Sequence, residues 1–241
     1  MRKLAVMFCV MLCLFASGCG SGNEKVKKTV KNVTKEETKE LTSLLASSRK
    51  ESLDRIKEEV IEEKTSYAHC EIKYPHLEED EYQNVNKKIL AEVKKLSGYD
   101  DIFESESDEV FGVTTIRLHY STGTFNDRIL SVLFEGEFRN NEAAHPVNLA
   151  FGLNLDLKTG EFLHIGEFSD VIRKKQNMER YIKEQVDGEE AEYREGLLSA
   201  WKEKGEEQFL ESKRFYLSEG KVYFVLSIPA GSEAYQIICL E

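Results

Sequence analysis

Several short stretches hold residue types that could do chemistry together. Ser47-Ser48-Arg49-Lys50 fits a Ser-x-x-Lys spacing, in which an amine lowers the barrier to acyl transfer by a hydroxyl, and Lys158-Thr159-Gly160 fits a second piece of the same signature. No Ser-Asp-Asn accompanies them. Ser47–Lys50 sits in a highly charged segment, and Lys-Thr-Gly falls where Lys, Thr and Gly are ordinary hairpin-turn residues. The serine–lysine reading is therefore set aside. His69, Cys70 and His76 are the right types for a metal, yet neighbours on a strand point to opposite faces, and no His-x-x-x-His or Cys-x-x-Cys spacing exists. The acidic run from Asp100 to Glu109 lacks the central glycine of a calcium loop. No metal site, cofactor or catalytic residue is assigned, and the expectation is a protein that is not an enzyme.

Two polar residues remain as candidate binding groups, His145 and Asp156, both in the stretch "NEAAHPVNLAFGLNLDLKTGEFL". His145 stands at a strand entry, where its ring either bonds a neighbouring backbone group or contacts a ligand.

The elements that must carry these residues follow from periodicity. "SYAHCEIKYP" alternates as a strand ended by Pro75. Residues 79–98 place Tyr82, Val85, Ile89, Val93 and Leu96 on one helical stripe, with Gly98 as the stop. Three strands follow at 109–121, 127–138 and 145–157, then a turn at Gly160 and a short returning strand, "EFLHIG". Residues 167–212 read as two helical segments anchored by Leu197, Leu198, Trp201 and Phe209. Three last strands are separated by "SEG" and "PAGSE". The order predicts an α+β fold, an antiparallel β-sheet with helices packed on one face, preceded by a charged helical stalk. That stalk is expected because apolar residues from Val26 to Val60 recur at steps of three and four in a charged background, too sparse to fold alone.

The N-terminus gives an address. Arg2 and Lys3 precede a 13-residue apolar run, Leu4 to Ala16, too short to span a bilayer but suited to a secretory leader. Ala16-Ser17-Gly18-Cys19 resembles the lipobox of bacterial lipoproteins, which implies cleavage before Cys19 and lipidation of that cysteine. The expected organisation is a lipoprotein signal peptide at 1–18, the lipidated Cys19 and charged linker or helical stalk at 19–64, and a folded domain at 65–241. The localisation expected is the extracytoplasmic face of a bacterial membrane, held by the lipid.

Without Arg2 and Lys3 the net charge is −13, against −11 for the whole chain. Such a surface repels nucleic acid and suits a cationic partner. Of five cysteines, two leave with the leader and one takes lipid. Cys70 and Cys239 lie in alternating apolar stretches and should both point inward, either bridged, as an oxidising compartment allows, or as two buried thiols.

"AHPVNLAFGLNLDLKTGEFLHIGEF" resembles the Ala-His…Asp-Leu-x-Thr-Gly signature of the RsiV/PdaC-like extracytoplasmic domain family, and "YPHL…YQNVNKKI" resembles that family's Tyr-Pro followed by a helix with a Val85-Asn86 pair. Glu142 and Ala143 replace the glycines that usually precede Ala-His. The resemblance runs from about residue 65 to the C-terminus. It implies a non-catalytic α+β binding domain, with a cell-wall glycan or a basic protein such as lysozyme as partner. The alternative is a cell-envelope hydrolase or an accessory subunit of a polysaccharide-modifying enzyme.

Overall fold

The computed structural model describes residues 53–103, 112–168, 171–186, 191–205, 209, 213–227 and 235–240. Cys19, the Ser47–Lys50 motif and most of the expected stalk lie outside the described residues.

The chain is α+β, as the element order predicts, but it builds two sheets. The first has six strands in the order β1 (Ile56–Lys64), β2 (Ala68–Leu77), β3 (Thr114–Phe125), β4 (Ile129–Asn140), β5 (Val147–Asp156) and β6 (Glu161–Phe162). The second has three, β7 (Phe215–Ser218), β8 (Lys221–Ser227) and β9 (Tyr235–Leu240). Helix α1 (Gln83–Ser97) and the short α2 (Tyr99–Phe103) connect β2 to β3; α3 (Val171–Gln176), α4 (Met178–Gln185) and α5 (Ala191–Ala200) connect β6 to β7.

Two expectations are corrected. Residues 56–64 are not part of a helical stalk but an edge strand, paired antiparallel with β2 from Ile56↔Leu77 to Lys64↔His69. The ladder to β2 overrides a helical spacing that only three apolar residues, Ile56, Val60 and Ile61, could support. The folded domain thus begins before residue 65. The first sheet is also mixed rather than wholly antiparallel, because β2 and β3 run parallel (Ala68↔Thr114 to Ile72↔Leu118). A helix between two adjacent strands returns the chain to the same end of the sheet, which makes the pair parallel. β2 runs on through Pro75 to Leu77, beyond its last pair with β3, so the missing N–H removes nothing from that ladder.

Alternation sorts the core. One face of the first sheet, with Ile72, Ile116, Leu118, Phe134, Phe151, Leu153 and Leu155, packs on the α1 stripe of Val85, Ile89 and Val93. Gly98 closes α1 in the left-handed conformation at φ 80°. The second sheet directs Phe215, Leu217, Val222, Phe224, Leu226, Ile238 and Leu240 at the second helical group, where Met178, Ile182, Leu197 and Trp201 complete the core. A third, smaller contact joins the sheets, Leu133 and Ala150 meeting Val225. Helices therefore cover the outer face of each sheet rather than one face of a single sheet.

Candidate functional site

His145 lies in the exposed loop between β4 and β5, whereas Asp156 is buried at the opposite end of β5. A strand of that length separates them by roughly 30 Å. The two candidate residues do not form one site. The Asp156 carboxylate is fully engaged: Oδ2 accepts from Arg128 at 2.6 Å, and Oδ1 accepts from the Lys158 and Thr159 amides at 2.9 and 3.3 Å. It orders the turn that reaches Gly160 at φ 66°. Lys158-Thr159-Gly160 is that turn, which removes the acyl-transfer reading for it.

The other quoted motif residues serve the same corner. Asn86 on α1 clamps β2, accepting from the Leu77 amide at 2.9 Å and donating to the Leu77 carbonyl at 2.8 Å. Its amide nitrogen also approaches the His76 ring at 3.3 Å. Lys88, two residues on, donates to the Gly160 carbonyl at 2.6 Å. These contacts tie α1 to β2 on one side and to the turn after β5 on the other. Val-Asn and Asp-Leu-x-Thr-Gly are fastenings of the fold.

Cys70 and Cys239 are both thiols in this structure, and the bridge allowed between them is not formed. Cys70 is buried under α1, and burial, with Glu63 adding, pushes its thiol up to about 12. Cys239 does not point into the apolar core. Its neighbours Ile238 and Leu240 hold that phase, so Cys239 falls on the half-buried opposite face of the second sheet.

That opposite face carries a constellation that sequence reasoning missed. The hairpin register sets Tyr216 on β7 beside Tyr223 on β8, and Tyr223 beside Cys239 on β9. The two tyrosine rings stack with centroids 5.0 Å apart and planes 16° from parallel. Tyr235 donates from its hydroxyl to Glu135 Oε1 on β4 at 2.8 Å. His119, exposed on β3, stands directly opposite Glu135 in the β3–β4 ladder. Three phenols, a carboxylate and an imidazole, drawn from five strands, thus line the place where the open half of one sheet meets the edge of the other. Burial pushes the Tyr216 phenol up to about 12, and the acidic groups of Tyr223 and Glu135 add to that. Tyr223 is raised in the same direction, burial first. Both phenols are therefore neutral donors at ordinary pH. The signal was present in "RFYLSEGKVYFVL": Phe215, Leu217, Val222 and Phe224 take the core phase, which leaves Tyr216 and Tyr223 on the other.

Chemically, half-buried phenol rings offer flat apolar faces with a polar tip, and the carboxylate and imidazole offer an acceptor and a second polar edge. Groups of these types can pack on apolar C–H faces and bond hydroxyls. Among the described residues, no group of three His, Cys, Asp or Glu side chains is placed to hold a metal ion.

A solved structure shares the fold. A DUF3298 family protein from Pseudomonas aeruginosa PAO1 superposes with a TM-score of 0.50 at 13% identity, over 77% of this chain and 89% of that one. A member of the DUF3298 family from Bacteroides fragilis gives 0.46 at 13% identity, over 76% and 89%. No protein-family model and no curated relative matches the chain.

Proposed function

We propose that this chain is a lipid-anchored extracytoplasmic protein whose α+β domain is a non-catalytic binding module, and that its ligand is a cell-wall glycan. The observation that carries the reading is the Tyr216–Tyr223 stack, with Tyr216 beside a Glu135 that Tyr235 bonds and His119 faces in the β3–β4 ladder. Aromatic faces stack on the apolar faces of sugar rings, and the carboxylate and phenols bond hydroxyls. Asp156, the acidic residue singled out in the sequence, is spent on Arg128 and the turn amides. The anchor is Cys19, with the lipobox-like Ala16-Ser17-Gly18 before it.

The test is calorimetric titration of the chain with soluble muropeptides, lysozyme being the parallel ligand. Saturable muropeptide binding that weakens about tenfold in Tyr216→Ala and Tyr223→Ala supports the glycan reading. Turnover of the muropeptide would replace it with the hydrolase alternative. Tight lysozyme binding that survives added salt, with silence toward muropeptides, would move the ligand to a basic protein, which the net charge favours. Metabolic labelling with a tagged palmitate, lost in Cys19→Ser, tests the anchor.

A further inference from the structure

Among the described residues, two of the four sheet edges are held by other parts of the chain and a third is very short. The outer edge of β9 is occupied by one side chain: Gln185 on α4 accepts from the Cys239 amide at 2.8 Å and donates to the Cys239 carbonyl at 2.7 Å, as a neighbouring strand would. Lys174 then takes the Leu240 carbonyl at 2.9 Å. The free side of β7 is held by the first sheet, Thr124 donating to the Leu217 carbonyl, Ser131 accepting from the Leu217 amide and Asn154 donating to the Phe215 carbonyl, at 3.0, 2.7 and 2.7 Å. β6 is two residues long. β1 differs: it is nine residues long, and among the described residues it pairs only with β2.

The sequence of β1, Ile-Lys-Glu-Glu-Val-Ile-Glu-Glu-Lys, sets what that edge can accept. Val60 at its centre is 46% exposed. Glu58, loosely paired with Lys73 of β2 at 3.6 Å, and Glu62 flank it on the solvent face with Lys64, and Glu62 stands opposite Glu71 of β2, a like-charge pair. A second copy pairing antiparallel about Val60 would set Glu58 against Glu62 twice on the solvent face and Lys57 against Glu63 twice on the other, so self-pairing gains nothing net from charge. The same carboxylates favour a strand that brings lysines to those positions. Charge thus selects among partners that would otherwise compete for the exposed backbone.

We infer that the outer edge of β1 is a docking strand that captures an extended, lysine-rich segment of another protein by adding it to the six-stranded sheet. The site is separate from the tyrosine wall, and it stands whether or not that wall binds a glycan.

The probe is a synthetic nine-residue peptide of alternating lysine and valine, with its glutamate-for-lysine twin as control, added to the full chain. Amide hydrogen exchange and a binding titration are read together, at low and moderate salt. The lysine peptide is expected to saturate and to slow exchange of alternate amides within residues 56–64, while the glutamate peptide does neither. The double variant Glu58→Lys/Glu62→Lys should weaken the lysine peptide about tenfold and admit the glutamate peptide. Val60→Pro, which removes a backbone donor from the edge, should abolish protection. Peptide binding without slowed exchange in β1 is charge attraction elsewhere and overturns the inference. So does protection that appears without peptide as concentration rises, because the occupant is then a second copy.

Discussion

The carboxamide of Asn154 donates to the backbone carbonyl of Phe215 at 2.7 Å, across the junction of the two sheets and with both groups buried. Its oxygen accepts from Ser131 at 2.7 Å, and that hydroxyl in turn accepts from the Leu217 amide at 2.7 Å. β7 therefore rests on the first sheet through buried side chains rather than through a ladder. The residues they grip are the two on either side of Tyr216. The polar network thus sets where the tyrosine wall stands, in addition to satisfying backbone groups that would be costly to bury alone.

Asn154→Ala should cost about 2–3 kcal/mol, since it leaves the Phe215 carbonyl and one Ser131 bond unmet in a dry junction. A shift of the urea midpoint with an unchanged slope would verify it. Loss below about 0.5 kcal/mol would mean that water replaces the carboxamide.

Two glycines give opposite outcomes for one substitution. A Cβ at Gly152 would sit 1.8 Å from the Phe215 carbonyl oxygen, and backbone cannot swing aside as a side-chain tip would. Gly152→Ala should destabilise by about 3 kcal/mol or prevent folding. At Gly196, within α5, nothing lies within 4 Å of the added carbon. Gly196→Ala should raise stability by about 0.5–1 kcal/mol through helix propensity and unfolded-chain entropy. Thermal melts of the two variants beside the parent chain decide both.

What the sequence disclosed and what it concealed follow from the kind of force at work. The α1 stripe, the β5 alternation and the SEG hairpin were legible because burial against one face imposes a period. β1 was not, because an edge strand with four glutamates buries little and so shows no clean alternation. The parallel β2–β3 pair was hidden because pairing partners are set by the crossover through α1, which local pattern does not encode. His145 and Asp156 drew notice as polar letters in an apolar stretch, yet the one is loop surface and the other a turn fastener. The tyrosine wall needed the β7–β8 register, and the packing of that sheet on β4, before Tyr216 could be seen beside both Tyr223 and Glu135.

Alkaline titration tests the burial of that wall. A phenol whose pKa rises on folding, here to about 12 from an ordinary value near 10, keeps its proton longer in the native state. The native state then binds more protons than the unfolded chain between those two values. Stability that is fully present below pH 10 should therefore fall as pH climbs from about 10 toward 12. Ultraviolet phenolate absorbance should show a late-titrating group in the parent that is missing in Tyr216→Phe, and the stability loss of that variant over the same range should be shallower. An unchanged late step would assign it to another tyrosine.

The two thiols should separate by rate. Cys70 is fully buried beneath α1, and a thiol held near 12 is almost wholly protonated at pH 8, so alkylation has to wait for the core to open. Cys239 is half-buried on the open phase of β9 and needs no such opening. In Cys19→Ser protein, a maleimide is expected to label Cys239 first, with Cys70 following only at the global unfolding rate, as peptide mass mapping would show. Gly152→Ala, if it folds, should speed the second labelling and leave the first nearly unchanged, because it loosens the sheet junction without uncovering β9. Protection of both thiols until a reductant is added would mean that a bridge joins them after all.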